Sequence, residues 1–475
     1  MHDGKLSWQI KSAYGLGSIG EAVKTRGFDV FVFFYFQQVL GLSGSLAGLA
    51  VFLSLFADAV TDPVVGSLSD NLQSRFGRRH PYMMVAALPL GVLWFALFFP
   101  PPGLDQFGLF LWLTLFAILV RTAMTFYHVP HLALGAEMTT DYEEKTSVVG
   151  YRIMFGMFGS IMVTVIGVRL FFPETPAFEN GLLNPEGYPK VALFGGLVMF
   201  VTIFLSVIGT RGVIPDLPGP PPNPSAFSPR RVLGEFREAW GDDSFRALFL
   251  GFSMVTITLG IVGTLGTHLY VFFWRLDSNQ IALIQLPMVA GFIVGITMSR
   301  WLHRKVDKKP TIFWSNIVVF TVVIGALLLH ILGLTPAPGS SGLFWFVAAY
   351  ITLVGVISAI GYTSAGSMMA DVAQEMARRT GRGQEGVIFS ATSFSGKLGS
   401  GCGHLVAGVG LDLIAFPVQA DPTTVPVQAI HNLGWLTIVG SCLSYLGCYF
   451  YTGYKITRHT GPETDQNPSL APSEG

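Results

Sequence analysis

Twelve stretches of this chain are long and apolar enough to cross a lipid bilayer, and that property constrains the fold more than any motif does. A bilayer core about 30 Å thick takes about 20 apolar residues of helix per crossing. The stretches run over 12-40, 45-69, 81-99, 107-137, 148-171, 190-210, 244-274, 279-302, 311-334, 343-370, 387-417 and 429-454. Inside lipid every backbone N–H and C=O must find a partner within the chain, so segments of this length are helices. With 51% hydrophobic and only 12% charged residues, the chain is too apolar for a soluble domain of ordinary charge content. An all-α integral membrane protein of twelve transmembrane helices is expected. Asp3, Lys5 and Lys11 ahead of a polar, glycine-rich first span do not resemble a cleaved signal peptide.

The basic residues orient the spans, because cytoplasmic loops retain Lys and Arg. With both termini cytoplasmic, twenty-one of the 29 Lys and Arg fall on the inner side and only Lys190 and Arg275 on the outer. The other six, Lys24, Arg26, Arg121, Arg152, Arg169 and Lys397, sit within spans, where ionisable groups are costly and serve a function or a partner. A proline-rich stretch from Pro215 to Pro224 cannot be helix in lipid and reads as a linker. The expected organisation is an N-terminal six-helix bundle over 1-210 that holds the cation site, a cytoplasmic linker over 211-243, a C-terminal six-helix bundle over 244-454 and a disordered cytoplasmic tail over 455-475. The halves echo each other: Arg78-Arg79-His80-Pro81 closes the loop before the third span and Asp307-Lys308-Lys309-Pro310 the loop before the ninth. Such repeats, related by an axis along the membrane normal, occur in one large class of secondary transporters.

Other functions are excluded by what the sequence lacks. A net charge of zero gives no reason to expect nucleic acid. Cys402, Cys442 and Cys448 have no metal-ligand spacing, and the ten histidines are scattered, so neither a metal cluster nor a nucleophile and base gather at one depth. No enzyme activity and no cofactor are expected.

Chemistry concentrates in the second span. Asp58 and Asp62 stand at i and i+4 with Thr61 beside them, all near one helical face. Two carboxylates at membrane depth repel each other, so one is protonated or both share a cation. A sodium ion at Asp58 and Asp62 would take further oxygens from Thr61 and from a hydroxyl such as Thr125; a proton needs only one carboxylate. The alternative is that the two acids neutralise Lys397 or Arg152 in a buried network.

At the loop after this span, Gly66, Asp70 and Arg75-Phe76-Gly77-Arg78-Arg79 resemble the major facilitator superfamily signature, a charge latch at a helix end. Four further stretches carry a closer likeness: Tyr14-Gly15-Leu16-Gly17-Ser18-Ile19-Gly20, Asp58-Ala59-Val60-Thr61-Asp62-Pro63, Ala370-Asp371 with Thr380-Gly381-Arg382-Gly383-Gln384-Glu385-Gly386, and Ser393-Phe394-Ser395-Gly396-Lys397. By these the chain resembles the glycoside/pentoside/hexuronide cation symporters, the family of melibiose permease, over nearly its whole length. The resemblance implies a major facilitator fold and a sodium- or proton-coupled symporter of a sugar-like solute working by alternating access. It also implies that Asp58, Thr61, Asp62 and Thr125 form the cation site and that Lys397 links it to the solute, with Arg152, Ser393 and the aromatic Tyr362 nearby. Asp70, Arg75, Arg78, Arg79, Asp371 and Arg382 fall to the cytoplasmic gates, the second latch joining Asp371 to Arg378, Arg379 and Arg382.

Departures from the family pattern shift the expected solute. Ala22 and His128 stand where the sugar-gripping acids belong, Leu132 replaces a tryptophan, and the first span gains Lys24, Arg26 and Asp29. Basic groups at membrane depth suit an anionic or zwitterionic solute held by Arg26, Lys24 or His128, with Asp29 on the same face. Alternatively Glu21 pairs with Lys24 and Arg26 with Asp29, leaving no charge for a ligand. His128-Val129-Pro130 also resembles the sodium-dependent lysophosphatidylcholine symporters, which keeps a lysophospholipid or other amphiphile open. The expected partners are a small solute and membrane lipid, and the expected form is a monomer in a bacterial inner membrane.

Overall fold

The computed structural model describes residues 5–217, 234, 236–380 and 385–456. Among these the chain forms twelve long helices. We number them α1 (Trp8–Gly27, continuing through π-helical turns at Phe28–Val32 and Tyr35–Val39), α2 (Gly44–Asn71), α3 (His80–Leu97), α4 (Gln106–Glu137), α5 (Tyr142–Ile161, continuing through a π-helical turn to Phe171) and α6 (Gly187–Gly209). The second half holds α7 (Asp243–His268, with a π-helical turn at Leu269–Phe273), α8 (Ser278–Leu283 and Gln285–Lys305), α9 (Lys308–Ile331), α10 (Ser341–Thr380), α11 (Glu385–Leu413) and α12 (Val427–Tyr451). Ten of these are long and apolar enough to cross a membrane; α1 and α11, diluted by glycine and charge, run alongside them.

Local sequence places the helix starts. Ser43, Asp105, Asp141 and Asp242 each accept a hydrogen bond from the backbone N–H three residues on, satisfying donors that the first turn leaves free. Most of the linker and nearly all of the tail lie outside the described residues. The first tail residue is not loose, however, because Lys455 pairs with Asp243 at the start of α7.

Close packing brings the halves together along α2 and α11. A Cβ on Gly44 would lie 2.4 Å from the Gly408 carbonyl, and one on Gly48 would lie 2.6 Å from that of His404. Only hydrogen at these positions lets the two backbones approach so closely. The antiparallel seam continues from Gly401 against Phe52 to Lys397 against Asp58. Between Gly44 and Asp58 the helix rises about 21 Å, so the seam reaches the middle of the membrane.

Polar contacts between the halves gather where α1 ends and α2 begins. His268 bonds the Gln37 amide oxygen at 2.8 Å, Thr267 donates to the Val30 carbonyl at 3.0 Å, and Asn180 donates to the Leu276 carbonyl at 2.9 Å. Asp412 of α11 reaches across to cap α2, its two carboxylate oxygens each accepting at 2.8 Å from the N–H groups of Gly44 and Ser45. A carboxylate at a helix N-terminus also opposes the helix dipole favourably. Asp412→Ala should therefore destabilise the protein by about 1 kcal/mol, read as a lower Tm in detergent. It should also raise labelling of a cysteine placed at the buried Gln37 in a background lacking Cys402, Cys442 and Cys448; unchanged labelling would show that the cap does not hold this end shut.

Candidate functional site

The i, i+4 spacing on α2 places Asp58 and Asp62 where one positive charge from the other half meets both. The Lys397 ammonium on α11 lies 2.9 Å from Asp58 Oδ2 and 2.5 Å from Asp62 Oδ2. On the other side, the Thr125 hydroxyl of α4 lies 2.8 Å from Asp58 Oδ1 and 3.1 Å from Asp62 Oδ1. Both Oδ2 atoms thus face the lysine and both Oδ1 atoms the threonine, so the carboxylates clamp a single positive charge between them. Asp58 is only 7% exposed. Thr61, expected to add an oxygen, instead donates its hydroxyl hydrogen to the Asp58 backbone carbonyl at 3.2 Å.

Two further cations act on Asp58 electrostatically, Lys24 of α1 and Arg121 of α4. Arg121 is buried; its Nε donates to Ser54 Oγ at 3.0 Å and its guanidinium lies 4.3 Å from the Phe28 ring centre. Among the described residues no three His, Cys, Asp or Glu gather as a metal site. Two carboxylates and a hydroxyl form a donor set suited to a proton or a hard monovalent cation.

A cavity of about 300 Å³ opens between α1 and α5, lined by Glu21, Ala22, Arg26, Arg152 and Ser160 among others. Glu21 is held by His128 of α4, with Oε2 and Nδ1 3.1 Å apart. In place of the alternative Glu21–Lys24 pairing, Glu21 is approached by His128 from α4. Arg26 does pair with Asp29, at 3.6 Å, and its Nε donates to Ser160 Oγ at 2.8 Å. Arg152 lines this cavity rather than the acid pair, so Lys397 alone of the two proposed neutralising cations bridges Asp58 and Asp62. Ser393 is exposed one turn before Lys397. Tyr362 is 72% exposed, and no ring contact or hydrogen bond ties it to the cluster among the described residues.

At the end that carries the basic loops, the expected latches form with different partners. Gly77, at φ +76°, turns the chain through a left-handed conformation that glycine adopts without strain. Beyond it Arg79 lies 2.5 Å from Asp70 and 2.7 Å from Glu137, and Arg78 lies 2.8 Å from Glu137. Burial opposes the charge on Arg79, but the Glu137 and Asp70 carboxylates outweigh it and hold the guanidinium pKa above its ordinary value. Arg75 lies outside this latch, over the ring of Phe76. In the second half Asp371 pairs with Lys308 at 2.7 Å, and among the described residues neither Arg378 nor Arg379 pairs with it. Arg379 instead meets Glu375, one turn earlier on the same helix, and Asp242, the N-cap of α7. Arg382 lies outside the described residues. Glu137, unassigned from sequence, had one signal: it ends α4 much as Asp371 lies near the end of α10.

Two linked six-helix halves with charged residues gathered at their seam define a membrane transporter of the major facilitator class. The chain belongs to the MFS/sugar transport protein family, whose sequence profile matches residues 13–458. It is 24% identical over 463 residues to the putative glycoside/cation symporter YagG of Escherichia coli, covering 95% of this chain and 93% of that protein. It is 23% identical over 440 residues to the sodium-dependent lysophosphatidylcholine symporter 1-B of Danio rerio, covering 87% and 80%. Among solved structures, a bacterial homologue of the human lysosomal transporter Spinster, in an inward-facing and occupied conformation, superposes with a TM-score of 0.64 at 14% identity, covering 94% of this chain and 95% of that one. These relatives and neighbours are transporters rather than enzymes.

Replacing Lys397 by Ala removes the charge that the two acids share. Because Lys397 is 22% exposed, the loss should be below that of a fully buried pair, about 2 kcal/mol. The lowered Tm of Lys397→Ala should be restored by added sodium or by acidification, and whichever restores it identifies the guest the carboxylates accept. If neither does, the pair is not a cation site.

Proposed function

We propose that this protein is a cation-coupled symporter that moves a small organic solute, sugar- or glycoside-like, by alternating access. The observation that carries the proposal is Lys397 of one half clamped between Asp58 and Asp62 of the other. A guest sodium ion competes with this ammonium for the same oxygens. Two unit positive charges about 4 Å apart at an effective dielectric of about 20 repel by about 4 kcal/mol, so lysine and guest exclude each other. Entry of the guest releases α11 from α2 and frees the lysine to face the solute. A proton on Asp62 acts in the same direction by removing one of the two charges that hold Lys397.

The basic end is the cytoplasmic face, both termini lie on it, and the protein resides in the plasma membrane as a monomer. The bonds between halves at the opposite end and the latches kept within each half at the basic end suit a state closed to the outside. Sugar-like solutes are favoured by the relative named as a glycoside/cation symporter. A lysophospholipid is the second reading, favoured by the relative named for lysophosphatidylcholine.

Asp62→Asn keeps the volume of the side chain and removes its charge. In proteoliposomes it should abolish gradient-driven accumulation of solute while leaving expression and helical content unchanged. Accumulation at the wild-type level in that variant would remove Asp62 from the coupling mechanism.

A further inference from the structure

Resting on the reading that the two halves rock and that the basic end is cytoplasmic, we propose that the loop between α11 and α12, residues 414–426, is a strap that shuts the outer entrance, and that Gln38 of α1 is the residue it grips. Gln38 lies at the end of the first span and is 1% exposed. Its side-chain amide is held much as a peptide group is held between strands. Nε2 donates to the Pro417 carbonyl at 3.0 Å and to Gln37 Oε1 at 2.8 Å, while Oε1 accepts from the Ala420 N–H at 3.2 Å. Beside it, the Gln419 side chain reaches back from the strap and donates to the Val39 carbonyl at 3.2 Å. Pro417, Gln419 and Ala420 of the second half thus bond two consecutive residues that end α1 of the first.

The strap is fixed to its own half and shaped by an unusual backbone. At its base α11 ends in a Schellman turn, in which the N–H groups of Ala415 and Phe416 donate to the carbonyls of Asp412 and Leu411 at 3.0 and 2.9 Å. Glycine is the usual residue at the left-handed position of such a turn. Here that position is Ala415, at φ +50°, and Gln419 is left-handed again at φ +51°. Among the described residues one other non-glycine residue has a positive φ, Arg275 of the α7–α8 loop, and its Nη2 donates to the Pro422 carbonyl of the strap at 3.0 Å. All three therefore form the strap or hold it. Side-chain-bearing residues keep this conformation where their surroundings over-determine it. Phe416 supplies part of that constraint, buried with its ring centre 5.2 Å from that of Phe272 on the π-helical end of α7. The strap moves with the C-terminal half and grips the N-terminal one.

Its chemistry suits a seam that parts and closes again. The bonds to Gln38 and Val39 join neutral groups, and water can take the place of each partner once the seam opens, so opening strands no buried charge and no lone donor. The strap also continues α11 (Glu385–Leu413). That helix carries Lys397 at the acid pair and Asp412 at the α2 cap, about 22 Å further along its axis. A displacement of α11 that follows release of Lys397 is carried by one helix to the cap and the strap together. Gln38 is thus a positioning residue for outer closure rather than a ligand of ion or solute.

The test is double electron–electron resonance on the full-length protein in nanodiscs, in a background lacking Cys402, Cys442 and Cys448. Spin labels on cysteines replacing the exposed Ala177 and Leu334 span the halves at the outer end, and labels replacing the exposed Gln73 and Val306 span them at the basic end. Gln38→Met keeps the length of the side chain and removes its donors and acceptor. It should raise the ratio of long to short outer distances roughly tenfold or more and shorten the distance at the basic end. Gln419→Ala, which breaks only the bond to Val39, should move the outer ratio the same way by a smaller factor. The proposal is overturned if Gln38→Met leaves the outer distances as in wild type, or if it broadens both pairs alike and lowers Tm, as loss of a merely structural residue does. If Gln38→Met does not fold, outer distances unmoved by Gln419→Ala overturn it. The two pairs also separate the strap from the rocking on which it rests. An outer pair that lengthens while the inner pair stays fixed upholds the strap and sinks rocking, whereas outer distances indifferent to both variants but lengthened by added sodium, with the inner pair shortened, do the reverse.

Discussion

Two carboxylates on one turn of a membrane helix are the constraint around which the rest of this structure is arranged. Left alone, Asp58 and Asp62 would repel each other where water is scarce, and one would take up a proton. They are instead bridged by Lys397, supplied by the other half of the molecule. The interaction that offsets the acids' repulsion is therefore also one that joins the halves. Any cation that replaces the lysine alters the interface and the charge at once, which is the minimum needed to tie ion binding to movement.

The packing around this bridge leads the two helices to it. Glycines at positions 44, 48 and 408 bring α2 and α11 into backbone contact, and the seam ends at the ion pair. Asp412 fixes the far end by capping a helix of the opposite half, so separating the halves there exposes two backbone donors as well as apolar surface. At the basic end each half keeps its own latch. A base at the start of α3 meets an acid at the end of α4, and a base at the start of α9 meets an acid near the end of α10. The repeat is thus preserved in its chemistry even where the residues differ, Arg79 with Glu137 in one half and Lys308 with Asp371 in the other. Latches confined within halves stiffen each as a body, while bonds between halves sit at one end and at the centre, an arrangement that suits rocking.

Much of this was legible along the chain. The run of apolar stretches specified the helices, and the structure places their bounds within a few residues over most of the chain. The i, i+4 acids with Thr125 and Lys397 were recognisable because charge at membrane depth is rare and demands a partner. Which partner each of the other polar groups meets was not legible. Glu21 finds His128 and not its neighbour Lys24, Arg79 finds Glu137, Asp371 finds Lys308, and Thr61 turns back on its own helix. Each of these choices depends on which faces of two helices meet, and helical periodicity gives a face without saying what lies opposite it.

The sequence by itself determined that this chain lives in a membrane, that it is helical, that it divides into two related halves, and that its second span carries charge needing compensation. These follow from rules that act locally: the thickness of lipid, the satisfaction of backbone hydrogen bonds and the cost of a lone ion. Only the tertiary structure decided which cation answers the acids, which carboxylates are already engaged, and which arginine is left facing a cavity without one. Those outcomes depend on distances of 2.5 to 3.1 Å between different helices, and at that range a shift of one helical turn exchanges every partner.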